Sequence, residues 1–168
     1  MEIIVSPLAA VQLLVSKHKV SHVVSLLGPE TPHRSFAGIT DGNHLKLTFH
    51  DILEPAEGFT APASEHVETL IQFLTARQGE DPLLIHCWAG ISRSTASAFT
   101  AMCLYNPDVD EQQLARQLRS LSHVATPNRR LVAFADDIMG RQGRMVDAID
   151  GIGRGEDAYE GVIFQWKI

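Results

Sequence analysis

The 168 residues carry 14 Lys and Arg against 20 Asp and Glu, a formal net charge of −6, so no basic excess exists to hold a nucleic-acid backbone. Hydrophobic residues at 45% and charged residues at 20% exclude a disordered chain and predict one globular domain over residues 1–168. No apolar run approaches the ~20 residues that span a bilayer, and Cys87 and Cys103 are too few for a disulfide scaffold, which favours a reducing, cytoplasmic setting.

Residues 3–5 read as a short buried strand, after which Ser6 is expected to cap a helix with Pro7 at its first position. Leu8, Val11 and Val15 fall on one face of that helix. With Glu2 and Pro7 and no basic start, this opening reads as strand then helix, not as a signal peptide. "SHVVSLLG" is a second buried strand, ended by the loop "GPETPHRSFAG". "HLKLTFHD" alternates Leu45, Leu47 and Phe49 with polar neighbours, as a half-buried strand does. The loop that follows, "DILEPAEGFTAPA", is too long and irregular for a mere connector.

Pro62 and Glu65 open a helix with Val67, Leu70, Ile71 and Leu74 inward, and Gly79 is expected to stop it. Pro82 precedes a strand over residues 83–85, and a helix begins near Ser92. The pattern Asp108-x-x-Glu111 predicts the cap of another helix, with Leu114, Leu118 and Leu121 on one face. Thr126-Pro127 opens the next, with Leu131, Phe134 and Ile138 inward, and residues 145–152 form the last. Strands alternating with helices early, and helices alone late, predict an α/β fold with a central, mostly parallel sheet and a helical C-terminal half. "GIGRG" at residues 151–155 follows a helix instead of a strand, so it reads as helix termination, not dinucleotide binding. His44 and His50 do not share a helical interval and no Cys-x2-Cys exists, so neither a metal nor a cofactor is expected.

The chemistry concentrates in "LLIHCWAGISRSTASA", residues 83–98. An apolar strand delivers His86 and Cys87 to a turn containing Gly90, and Arg93 and Ser94 follow where a helix starts. A thiol is a good nucleophile only as the thiolate. Converging loop amides, the positive end of the helix and the Arg93 charge all favour that form, and Ser94 can donate its hydroxyl to the sulfur. The same cradle suits a tetrahedral phosphate, with amides on three oxygens and a guanidinium fork on two. A lone cysteine after an apolar strand is ordinarily a core thiol; four residue types at set spacing between a strand and a helix say otherwise.

"HCWAGISRS" resembles the signature of the cysteine-dependent protein tyrosine phosphatase superfamily, and "AGISRS" resembles its dual-specificity branch. The resemblance implies a phosphatase-like α/β fold over residues 1 to about 140, with the last 28 or so outside the family pattern. It also implies two-step hydrolysis of a phosphomonoester, on a phosphorylated protein or a small molecule. Cys87 would be the nucleophile, Arg93 the phosphate clamp and Ser94 the group assisting the thiolate. Trp88, Ala89, Gly90, Ile91 and Ser92 would lend backbone amides. The required general acid is expected at Asp51, at the head of the irregular loop, in preference to Glu54, Glu57 and Asp41. "ATPNRRL" resembles the family's Pro-Asn before a later helix, so Asn128 lines the pocket or is simply a first-turn residue. Arg129 and Arg130 draw anions to the rim or are solvated, and His86 borders the site. No segment resembles the aromatic clamp of the large tyrosine-specific enzymes, which implies a shallow site, and the lysine-bearing loop of phosphoinositide members is absent. Trp88 contacts substrate or packs against the acid loop; Cys103 belongs to the core, or less plainly is a redox partner of Cys87. Two competing functions are a silent phosphate-binding module and a rhodanese-like sulfurtransferase, the latter leaving Asp51 and Asn128 without a task.

Overall fold

The apolar runs pair into one five-stranded sheet: β1 (Glu2–Pro7), β2 (His22–Leu27), β3 (His44–Thr48), β4 (Leu83–Cys87) and β5 (Phe164–Lys167), in spatial order β3-β2-β4-β1-β5. The first four are mutually parallel and β5 is antiparallel to β1. The structure is a computed structural model that describes residues 1–77 and 82–167; the helix stop expected at Gly79 lies outside them. Six α-helices occur among the described residues: α1 (Val11–His18), α2 (Ser64–Ala76), α3 (Arg93–Tyr105), α4 (Glu111–Leu121), α5 (Arg129–Ile138) and α6 (Arg144–Ile152). None is long and apolar enough to cross a membrane.

Strands β2 and β4 are buried on both faces, which is why their sequences are near-continuous apolar runs. One face carries the larger core, where α2 to α6 enclose residues such as Phe49, Leu70, Phe99, Leu118 and Trp166. The other is covered by α1 and Phe36, against Ile4, Val23, Leu27 and Leu84. Because the central strands run parallel, their carboxyl ends open together, the usual place for a ligand in such a sheet. Cys87 is the last residue of β4.

Four expectations are revised. Ser6 and Pro7 do not start a helix; they extend β1 opposite His86 and Cys87, and α1 begins at Val11 after a 3-10 turn over Leu8–Ala10. Pairing with the central strand outweighs local capping preference there. Asp110, not Asp108, caps α4, accepting from the Gln113 N–H at 3.1 Å, while Glu111 is drawn inward to Arg141 at 2.9 Å. His44 is buried although the alternation of β3 placed it outward. The late half is not helical throughout: Phe164 and Trp166 alternate with Gln165 and Lys167, and β5 covers the β1 edge. Four alternating residues are too short a signal to separate from a loop in the sequence.

Candidate active site

Cys87 leaves β4 into a tight loop, residues 88–92, that runs directly into α3. The Gly90 N–H points back at Cys87 Sγ, 3.2 Å away, and Ser94 Oγ lies 3.2 Å from the same sulfur. Gly90 takes φ +76°, and an added Cβ would stand 2.7 Å from the backbone nitrogen of Pro7, so both conformation and space demand glycine. Neighbouring carbonyls are turned outward and held. Trp88 O accepts from Leu8 N (3.1 Å), Ile91 O from Thr126 N (3.0 Å) and Ser92 O from Asn128 N (3.2 Å). Carbonyls fixed on the outside leave peptide N–H groups for the inside, which is the geometry of an anion cradle.

Arg93, the first residue of α3, is 8% exposed. Its Nη1 donates to the Phe49 carbonyl at 2.9 Å, while the buried Nε has no hydrogen-bond partner among the described residues. A tetrahedral oxyanion on that edge would complete it. Two residues beyond Phe49, Asp51 Oδ1 accepts from Ser92 Oγ (2.8 Å) and from Asn128 Nδ2 (2.8 Å). Ser92 stands at the N-cap of α3 but makes no capping bond, because its hydroxyl serves Asp51. Asn128 is the N-cap of α5, its Oδ1 accepting from Leu131 N (3.1 Å), and its Nδ2 holds the Asp51 carboxylate (2.8 Å). Asp41 precedes β3, at the opposite end of the sheet. Glu54 and Glu57 are exposed in the loop.

No family model matches the chain, and no curated protein does. Solved structures do. DUSP15 aligns with TM-score 0.65 at 19% identity, over 92% of this chain and 94% of that one. The human tyrosine phosphatase-like serine/threonine/tyrosine-interacting protein aligns with TM-score 0.65 at 15% identity, over 83% and 92%. The Cydia pomonella PTP-2 phosphatase aligns with TM-score 0.59 at 22% identity, over 80% and 84%. The chain has the dual-specificity phosphatase fold.

Within this phosphatase fold, the residue before the cysteine is fully buried. His86 Nδ1 donates to Cys87 O at 3.0 Å, and its Nε2 lies 2.5 Å from Ser25 Oγ. Ser25 Oγ is in turn 2.7 Å from His44 Nε2. One proton arrangement satisfies all four atoms: His44 Nε2–H donates to Ser25, Ser25 O–H donates to His86 Nε2, and His86 Nδ1–H donates to the carbonyl of Cys87. Both imidazoles are neutral in it. Burial, above all, pushes each well below the ordinary histidine value, to about 4. The sequence reading missed Ser25 and the inward His44. Its signal was a lone serine inside the otherwise apolar strand β2.

Beside the loop lies a cleft of about 560 Å³, lined in part by Asp51, Ile91, Ser92, Pro127, Arg129 and Arg154. Arg129 does reach this rim, but its guanidinium forks onto Asp150 at 3.0 Å through both Nε and Nη2, so its charge is already matched. Arg130 turns away to the Pro62 carbonyl (2.7 Å) and over the Phe134 ring. The Trp88 ring turns to Tyr159, not to the loop that follows Asp51: the two rings meet edge-to-face, centroids 5.6 Å apart. Cys103 is buried within α3, and burial pushes its thiol up to about 12. Ten residues of helix separate it from Arg93, roughly 15 Å of rise, beyond disulfide reach of Cys87.

Proposed function

We propose that this chain is a cysteine-dependent phosphomonoester hydrolase, acting on phosphorylated side chains of proteins or on small phosphomonoesters through a cysteinyl-phosphate intermediate. The whole chain forms its catalytic domain, in a reducing, cytoplasmic compartment. One observation carries the reading: a carboxyl group on a separate loop, Asp51, is tethered by Ser92 to the very loop whose Gly90 N–H and Ser94 hydroxyl converge on Cys87 Sγ.

In the first step Cys87 Sγ bonds to phosphorus as the ester P–O bond breaks, with Arg93 and the amides of residues 88–92 holding the three remaining oxygens. Asp51 gives its proton to the departing oxygen. Its Oδ1 accepts two hydrogen bonds, as the carbonyl oxygen of a protonated carboxyl can, and Oδ2 then carries the proton. In the second step water attacks phosphorus, Asp51 takes up the released proton, and the thiolate departs toward the Ser94 hydroxyl. Phosphate leaves and both groups return to their starting states. Hydrolysis of an aryl phosphate by the purified chain, with no sulfur transfer from thiosulfate, is the expected result. Phosphate binding without turnover would make the chain a silent binding module, and transfer from thiosulfate would make it a sulfurtransferase.

A further inference from the structure

The segment after α6, residues 153–163, returns across the open end of the sheet before β5 anchors it on β1. It is tied down along its way: Gly155 N donates to Thr126 Oγ1 (3.1 Å) and Glu156 N to the His123 carbonyl (3.0 Å). Tyr159 then reaches Trp88, and Gly161 N donates to the Ala89 carbonyl at 2.7 Å. Contact at Gly161 is backbone on backbone, since an added Cβ would overlap the carbonyl of Gly90.

In a trans peptide the C=O and the next N–H point in opposite directions across one rigid plane. The Ala89–Gly90 peptide therefore couples two bonds: its carbonyl faces Gly161 outside, and its N–H faces Cys87 Sγ inside. We propose that Gly161 is a positioning residue for the nucleophile, and that the C-terminal segment is a strap that aims the Gly90 N–H at Cys87. The inference rests on the phosphatase reading for its catalytic consequence, but the coupling itself concerns only the thiol. Glycine is required at 161 because only a residue without a side chain lets the two backbones approach this closely.

Alkylation of Cys87 by iodoacetamide, followed by peptide mapping, reads the thiolate directly. In a folded Gly161→Ala variant the rate at pH 6.5 is expected to fall roughly tenfold, the effect of losing about one hydrogen bond. Its rise with pH is expected to move to more alkaline values. Aryl phosphate turnover should lose a similar factor in kcat with little change in KM, and Tyr159→Ala, which removes only a ring contact, should alter both far less. Amide hydrogen exchange on the wild-type protein is a second measurement free of any folding defect: the Gly161 N–H should be protected, more so with orthovanadate bound. A folded Gly161→Ala with the wild-type alkylation profile overturns the strap, as does a Gly161 amide that exchanges like an open loop. Wild-type protein without phosphatase turnover, but with slowed alkylation in Gly161→Ala, would remove the enzymatic reading and keep the strap.

Discussion

Cys87 is 3% exposed, and its sulfur receives a backbone N–H and stands beside a hydroxyl, so the thiol and the cradle around it are separable by substitution. Cys87→Ser is expected to abolish hydrolysis while orthovanadate binding persists, measured by calorimetry; turnover near wild type would rule out the covalent route. Arg93→Lys should be nearly as severe, because Phe49 O already occupies one side of the guanidinium and a point charge cannot keep both contacts. Asp51→Asn should lower kcat roughly 10²–10⁴-fold, more for alkyl than for activated aryl phosphates, with substrate binding little changed. If a poor leaving group is released at the wild-type rate by Asp51→Asn and not by Glu54→Gln or Glu57→Gln, the acid lies elsewhere. Cys103 offers an internal control: with its thiol pushed up to about 12 it should stay unlabelled while Cys87 is alkylated.

The elements meet most tightly where β2, β3 and β4 share the chain His44–Ser25–His86. Each imidazole binds a proton less readily in the fold than in the unfolded chain, about 4 against 6.5. The unfolded chain therefore takes up more protons in that window, and stability falls as pH is lowered from about 6.5 to about 4, levelling off below. The loss is on the order of 3 kcal/mol for the fully buried His86, from ~1.4 kcal/mol per pKa unit, and smaller for His44, which solvent screens in part. Denaturant titrations at pH 7, 5.5 and 4.5 should show this slope, and His86→Asn should lessen it. Equal slopes in both proteins would mean that His86 does not titrate against the fold. The added proton goes to His86 Nε2, so the Ser25 hydroxyl loses its acceptor while the Nδ1–H bond to the Cys87 carbonyl persists.

For the whole molecule, the C-terminal part is locked by a buried charge cluster instead of by the sheet alone. Glu111 accepts from Arg141 Nη1 (2.9 Å) and Arg144 Nε (3.2 Å), and Arg141 Nη2 also reaches the Cys103 carbonyl (2.8 Å). Burial works to raise the Glu111 carboxyl, but hydrogen bonds from its own backbone, Arg144 and Arg141 hold it below the usual range. Asp136 adds the start of α6, accepting from Gly143 N (2.6 Å) and Met145 N (2.7 Å). Glu111→Gln leaves Arg141 buried with an unmatched charge, and is expected to cost about 3 kcal/mol. A lowered Tm with unchanged kcat per folded molecule is the expected pair of results; an unchanged Tm would show that the Cys103 and Pro107 carbonyls and solvent suffice for Arg141.

The loop from Cys87 to Ser94 was legible in the sequence because its chemistry is local: strand, glycine turn and helix start follow one another, and backbone amides need no distant partner to converge. The strands β2 and β4 were legible for a similar reason, since burial on both faces writes a continuous apolar run. The loop behind Asp51 singled it out in the sequence, yet only folding brings Ser92 and Asn128 onto the same oxygen. Ser25 carried only the faint signal of a lone serine in an apolar run, and His44 and Gly161 carried none of their role. Ser25 meets His86 through strand register, across 61 residues of chain, and Gly161 meets Ala89 because β5 happens to close the β1 edge. Hydrophobic periodicity reports which face of an element is buried; it does not report which two buried or abutting groups share a hydrogen bond. That is decided when distant elements pack and every polar group removed from water must find a partner.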